Sequence, residues 1–346
     1  MRQFKFGGSK GVAGVSNAKL RTMGWPDNTD EDAGMKIAVL DDFQDCVKTL
    51  DCFAKVKGHD VIVLNQHVSD PVELSGLLQG VQALVLIRER TYVGEALLSR
   101  LPDLKVIAQT GKVGRHLDMA ACQARGITVF ETDVTTEATA EFTLLMILAS
   151  LRNLVPEATN MNAGIWQRTL GRQLHGRTLG ILGLGRIGEQ VAQAGQTLGA
   201  RILVWGREGS QQKAREHGWA VAASREAFFA QSDVLCILVR LSPQTQGLVT
   251  AQDLAQMKPD AILINTARAE LIAPGALVTA LRQGRPGFAA VDVYEQEPVM
   301  SKRHALQDLP NCLCTPHLGF VERDNYENYL GQSFDHINRF FDHAAG

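Results

Sequence analysis

The stretch that most constrains the fold is Thr178-Leu-Gly-Ile-Leu-Gly-Leu-Gly-Arg-Ile-Gly188. Its apolar run at 179–182 reads as a buried strand. Gly183-x-Gly185-x-x-Gly188 follows at once, and Ile187, Val191, Ala194 and Leu198 then recur at helical spacing. Strand, glycine turn and helix in that order are what a dinucleotide-binding turn requires. Gly183 permits the tight turn and Gly185 lets backbone approach a pyrophosphate. Gly188 allows close helix–strand packing, with phosphate at the helix N-terminus. A purely structural glycine turn is the plain alternative, since such turns also arise by chance.

The rest of the chain fits an α/β frame around that turn. Apolar runs at 36–40, 61–64, 83–87, 105–108 and 128–130 lie roughly twenty residues apart, which leaves room for a helix between neighbours and predicts a parallel α/β unit. Val93, Leu97, Leu98 and Leu101 form one helical face, and 119–124 suggests another short helix. The most apolar helix is predicted over 136–152. It is too short to span a bilayer and carries Glu141, so it is expected to be buried, with Thr135 or Thr136 capping its start. The first domain crossing is placed here. After the glycine turn, strands are predicted at 201–205, 219–222, 234–238, 261–265, 288–293 and 313–315, the alternation of a doubly wound sheet. Pro316 ends that run. Tyr326, Leu330, Phe334, Ile337 and Phe341 then mark an amphipathic C-terminal helix, too small to fold alone and expected to pack back on the first domain.

Composition narrows the function classes. With 346 residues and 45% hydrophobic content the chain can bury the cores of two domains. A net charge of -2 carries no footprint for nucleic acid or a membrane surface. The six cysteines contain no CxxC pair, and Cys312-x-Cys314 is too close for ordinary metal spacing. The histidines form no ligand pair with nearby Cys or carboxylates, so no metal is expected. A reduced, cytoplasmic compartment fits this usage. Residues 1–34 are rich in Gly, Ser, Asn and Asp, lack both periodicity and a signal peptide's apolar core, and are expected to form a flexible tail.

Three polar groups fall at the C-terminal ends of predicted strands, where open α/β sheets place their ligands. They are Asn265-Thr-Ala-Arg268, Asp292-Val-Tyr-Glu-Gln-Glu297-Pro298 and Thr315-Pro-His317-Leu-Gly319. Arginine, carboxylate and histidine together suit hydride transfer to a 2-oxo acid. The arginine grips the substrate carboxylate through two parallel hydrogen bonds. The histidine gives a proton to the carbonyl oxygen as hydride arrives, and a glutamate beside it favours the imidazolium. Each residue taken alone has a plainer reading. Arg268 has Glu270 as a candidate ion-pair partner, Glu297 could be a solvated surface group, and Asp292 could cap a turn.

These motifs, in this order, resemble the D-isomer-specific 2-hydroxyacid dehydrogenases. The resemblance runs from about Met35 to the C-terminus through Leu174 to Gly188, Met257-Lys-Pro, Asn265-Thr-Ala-Arg268, Asp292-Val-Tyr-x-x-Glu297-Pro298 and Thr315-Pro-His317. It implies an α/β fold in which a Rossmann doubly wound parallel cofactor domain, 135–316, is inserted in a flavodoxin-like substrate domain formed by 35–134 and 317–346. It also implies a homodimer. Arg268 matches the family's substrate-carboxylate arginine, His317 its acid/base and Glu297 the histidine's partner. Asp292 matches the residue that holds the nicotinamide carboxamide. Arg186 and Ile187 fall where the family contacts pyrophosphate, and Thr266 and Ala267 where backbone passes the nicotinamide.

The loop Gln109-Thr-Gly111-Lys-Val-Gly-Arg-His-Leu-Asp118 matches the family's substrate loop in outline only. Lys112, nearby backbone N–H groups, Arg88 and Arg90 are candidates to face the substrate, against the alternative of a solvated charged loop. Ala269 and Ala273 stand where the family has Gly and commonly Asp, and Arg115-His-Leu-Asp118 replaces its Asp-Asn-Ile-Asp. Substrate identity is therefore not carried over: glyoxylate or hydroxypyruvate competes with phosphoglycerate. NAD-preferring members present an acidic residue after the second strand, where this chain has Gly206 and Arg207. The cofactor is NAD or NADP, and the absence of a carboxylate to repel a 2′-phosphate at Arg207 favours NADP, although Glu208 argues the other way. The family also contains transcriptional corepressors that sense dinucleotides, so a non-catalytic binding module is the alternative function.

Overall fold

The computed structural model describes residues 34–300 and 304–344, so the expectation for 1–34 lies, Gly34 apart, outside the described residues. Two wholly parallel sheets carry the architecture. The first is built from β1 (Lys36–Leu40), β2 (Asp60–Val63), β3 (Ala83–Leu86), β4 (Val106–Gln109) and β5 (Thr128–Glu131), in the order β2-β1-β3-β4-β5. The second contains β6 (Thr178–Leu182), β7 (Arg201–Trp205), β8 (Ala220–Val221), β9 (Val234–Ile237), β10 (Ile262–Asn265), β11 (Phe288–Val291) and β12 (Cys312–Cys314). Its order, β12-β11-β10-β9-β6-β7-β8, reverses between β6 and β9, which is the switch point where doubly wound sheets bind ligands. The first sheet is flavodoxin-like and the second is a Rossmann sheet.

Sequence explains why these strands sit where they do. Parallel strands covered on both faces by helices read as continuous apolar runs. Val-Leu-Cys-Ile in β9 and Ile-Leu-Ile-Asn in β10 are buried at every position. They pair in register, Ile262 with Val234 and Asn265 with Ile237, so the polar Asn265 emerges at the sheet's C-terminal edge. The helix Glu137–Leu151 packs against the helix Arg186–Thr197 and against β10 and β11. It is not buried all round. Ala140, Met146, Ile147 and Leu151 enter the core, while Leu145 and Leu148 are exposed. No single helix among the described residues is long and apolar enough to cross a membrane.

The C-terminal helix Arg323–Ala344 lies on the first sheet. Tyr326, Leu330, Phe334 and Ile337 join Ile37, Val39, Val85 and Ala108 in one core cluster. Phe334 is fully buried there and contributes roughly 1.5–3 kcal/mol of apolar burial. The last part of the chain thus completes the sheet formed by the first part, and the second sheet comes between them in sequence.

Two local expectations need correction. Of the face Val93–Leu101, only Glu95–Leu98 is helical. Neither Thr135 nor Thr136 caps Glu137–Leu151 with its side chain. Thr136 stands at the N-cap position, but its N–H donates to Glu137 Oε2 and its Oγ1 accepts from Gln190 Nε2, while Thr135 Oγ1 bonds Asn325 Oδ1. Distant partners outcompete the local cap.

Candidate active site in the interdomain cleft

The glycine turn closes β6. Gly183 has φ +91°, a left-handed value that L side chains rarely adopt, and its N–H donates to Trp205 O at 2.9 Å. A Cβ on Gly188 would lie 2.4 Å from Gly183 O, so the helix Arg186–Thr197 rests directly on the turn. A Cβ on Gly185, at the helix N-cap position, would meet nothing within 4 Å. Open space, free N–H groups of a first helical turn and the exposed Arg186 fit a pyrophosphate, with half-buried Ile187 beside it. Past β7, Arg207 is exposed at the N-cap position of the helix Glu208–Glu216. The carboxylate of Glu208 accepts from Arg215 Nη1 at 3.0 Å, a highly exposed pair that holds it only weakly.

The histidine and its partner come from neighbouring strand ends. After β11, Glu297 receives the Tyr294 N–H at 2.8 Å on Oε1, and its Oε2 meets His317 Nδ1 at 2.5 Å. With Nδ1 committed, Nε2 is the ring nitrogen available for proton transfer. His317 follows β12 with φ +52°, an uncommon backbone for a non-glycine residue. Asp292 imposes that turn. Its fully buried carboxylate accepts from Thr315 Oγ1 at 2.6 Å, Leu318 N at 2.7 Å and Gly319 N at 2.8 Å. The ring of Phe320 lies edge-on to the imidazole, centroids 5.2 Å apart.

Arg268 follows β10 and is held by its own loop and by the facing domain. Asn265 shapes the loop, donating from Nδ2 to Arg268 O and accepting from Ala267 N. Thr266 is buried and shares a hydrogen bond with Thr143 at 2.7 Å. Arg268 Nη1 donates to Ala267 O, and Nη2 donates to Glu89 Oε1 at 2.7 Å. The sequence neighbour Glu270 is not its partner; the bridge crosses the cleft to the loop after β3.

The cations on the loops of the first sheet are spread apart. Lys112 pairs with Glu131 at 2.9 Å and is half exposed. Arg115 donates to Gln246 across the cleft at 3.0 Å. The guanidinium of Arg88 lies 5.3 Å from the Phe320 ring centroid and 5.8 Å from that of Tyr329, above the bare backbone of Gly111, and its buried Nε has no partner. Backbone N–H groups of Gly111 and Val113 are taken by Thr132 Oγ1 and Glu131 Oε1. Among the described residues no group of three His, Cys, Asp or Glu could hold a metal ion.

Sequence reasoning passed over two residues of this site. Glu89 was legible only as an acid between two arginines. His116 is buried, with Nε2 on Gln109 Oε1 at 2.8 Å. Gln109 spends its own Nε2 on the carbonyls of Arg88 and Thr110, so its oxygen accepts and His116 Nε2 carries the proton. Burial lowers the His116 pKa, Glu89 opposes that, and Arg88 and Arg268 reinforce it.

Comparison with known proteins identifies the family. Residues 144–319 match the family model described as D-isomer specific 2-hydroxyacid dehydrogenase, NAD binding domain. A glyoxylate reductase of Aeropyrum pernix is 36% identical over 280 residues, covering 78% of this chain and 82% of that protein. A D-3-phosphoglycerate dehydrogenase of Synechocystis is 32% identical over 238 residues, 68% of this chain, and there the match spans only 42% of the relative. A crystal structure named phosphoglycerate oxidoreductase, from Vibrio cholerae O395, superposes with a TM-score of 0.86 at 48% identity, covering 89% of this chain and 99% of the other. With the glycine turn, the histidine–glutamate pair and the arginine all at the C-terminal strand ends of one sheet, the chain belongs to the D-isomer specific 2-hydroxyacid dehydrogenases, an NAD-dependent family of oxidoreductases.

Proposed function

We propose that this cleft reduces a small 2-oxo acid to its D-2-hydroxy acid, or runs the reverse reaction, with Arg268, His317 and Glu297 as its working residues. The observation that carries the proposal is the His317–Glu297 contact on the same sheet edge as Arg268 and the glycine turn. Arg268 anchors the substrate carboxylate and draws electron density from the adjacent carbonyl. His317 delivers a proton from Nε2 to the carbonyl oxygen, while Glu297 holds Nδ1 and stabilises the imidazolium. Asp292 keeps the turn that aims the imidazole, and we assign it the nicotinamide carboxamide. Gly183, Gly185, Arg186, Ile187 and Gly188 hold the pyrophosphate, and Thr266 and Ala267 flank the nicotinamide. That ring supplies or accepts the hydride when bound. Residues 135–316 form the cofactor domain; 35–134 and 317–346 form the substrate domain. All six cysteines are free, in keeping with a reducing cytoplasm.

We assign NADP as the preferred cofactor on Arg207, which is exposed at the helix start that follows β7, with no carboxylate at that position to repel a 2′-phosphate. The test is a spectrophotometric screen of 2-oxo acids with NADH and NADPH in parallel, on wild type and Arg207→Ala. Turnover is expected with both cofactors, and the variant is expected to lose roughly tenfold in kcat/KM with NADPH and little with NADH. Equal efficiency with the two cofactors, unchanged in the variant, removes the assignment. Binding of cofactor without turnover of any acid would favour the corepressor-like alternative.

We further propose a homodimer built on the exposed side of Glu137–Leu151 and the arm that follows it. Leu145, Leu154, Val155, Ile165, Trp166 and Leu170 are all exposed there, Trp166 by 71% and Leu170 by 90%. Apolar surface on this scale marks an interaction face. Trp166→Ala combined with Leu170→Asp is expected to turn a dimer into a monomer in light scattering. A monomeric wild type contradicts this assignment.

A further inference from the structure

The charges around Arg268 form a closed set. Its guanidinium has five N–H donors, of which one on Nη1 serves Ala267 O and one on Nη2 serves Glu89 Oε1. The rest suffice to grip one carboxylate through two parallel bonds. The Glu89 carboxylate also lies against the backbone of Gly114, where a Cβ would fall 2.8 Å from its Cδ. Burial works to raise the Glu89 pKa, but Arg268, with Arg88 and His116 beyond it, holds the group below the usual glutamate range. Glu89 is thus a fixed negative charge.

The neighbouring cations each have a partner other than Glu89. Arg90 donates to Asp41 O, and its guanidinium packs on Phe43 and Phe320. Lys112 is on Glu131 and Arg115 on Gln246. Arg90 and Arg115 keep their charge, since their hydrogen-bond partners are neutral, but the Arg268 guanidinium is matched by the Glu89 carboxylate, so a second anion placed beside Arg268 lies next to a negative charge.

We propose that Glu89 is a specificity-determining residue, which restricts the cleft to 2-oxo acids whose carboxylate is their only anionic group, such as glyoxylate and hydroxypyruvate. This rests on the reading of Arg268 as the substrate anchor. A second carboxylate or a phosphate on the substrate, within reach of Arg268, meets Glu89 as a like charge, and such repulsion is a standard source of selectivity. A hydroxymethyl group is accommodated instead, because its O–H can donate to the Glu89 carboxylate.

Glu89→Gln tests this, since it removes the charge and keeps the shape on a half-exposed loop. Steady-state rates are compared for glyoxylate and hydroxypyruvate against oxaloacetate and phosphohydroxypyruvate. In parallel, binding of oxamate and oxalate is measured by calorimetry in the presence of NADH. Wild type is expected to favour the singly charged acids. The variant is expected to shift the ratio toward the doubly charged ones by about tenfold or more, mainly through KM, and to gain affinity for oxalate relative to oxamate. An unchanged ratio overturns the proposal, as does a wild type that prefers phosphohydroxypyruvate. A uniform loss across all acids overturns it too, making Glu89 a prop for Arg268. If no acid is turned over, the dehydrogenase reading fails, and the oxalate-to-oxamate ratio alone decides the role of Glu89.

Discussion

Replacing His317 with alanine is expected to lower kcat by about 10²–10⁴-fold, the usual contribution of a positioned general acid. KM for the 2-oxo acid is expected to stay within about threefold, because Arg268, the proposed carboxylate anchor, is on another strand. The asymmetry follows from how the imidazole is mounted. Nδ1 lies on Glu297, which leaves Nε2 as the ring nitrogen able to deliver a proton. The turn that carries the ring is tied by backbone N–H groups of Leu318 and Gly319 to Asp292, contacts an alanine preserves. The left-handed φ at 317 is paid by histidine and alanine alike, so the fold should be little disturbed. Thermal unfolding beside steady-state kinetics separates the effects: a variant with wild-type kcat removes His317 from proton transfer, and one that has lost its melting transition says nothing about chemistry.

How much of this was legible in the sequence depended on how local each determinant is. Buried parallel strands write themselves as apolar runs, so β1, β7 and β9 could be placed within a residue or so. Residues at strand ends inherit their position from the strand, so Asn265, Arg268, Asp292 and His317 were legible as one edge before any geometry. Glu89 was not, because its partner comes from the other sheet and is 179 residues away. Nothing in Ile87-Arg-Glu-Arg-Thr91 says which of three charges crosses the cleft. Lys112 misleads for the same reason. Beside Arg115 it looks like part of a cationic loop, yet pairing of β4 with β5 brings Glu131 up to take it. The cap at Thr136 was lost to Gln190, a residue on the helix that starts at the glycine turn. In each case a long-range contact overruled a sound local rule.

Arg268→Lys is the second large effect, and it should differ in kind. We expect kcat/KM for the 2-oxo acid to fall by roughly 30- to 150-fold, or about 2–3 kcal/mol, the scale of hydrogen bonds to a charged group. KM should carry much of it. A guanidinium can donate to Ala267 O and to Glu89 and still present a planar pair of N–H groups to the substrate. An ammonium has three donors on one nitrogen and no fork, so the loop carbonyl, Glu89 and the substrate must compete for a single point. Affinity for NADH, followed by fluorescence titration, should stay near wild type, since the glycine turn is shaped by Gly183, Gly188 and Trp205 without Arg268. Wild-type kcat/KM in the lysine variant would show that positive charge alone suffices there and that the bidentate grip is the wrong description. A loss confined to kcat would move Arg268 from holding the carboxylate to polarising the carbonyl. The contrast with His317→Ala, where the rate falls and KM holds, is what assigns the two residues to separate halves of one reaction.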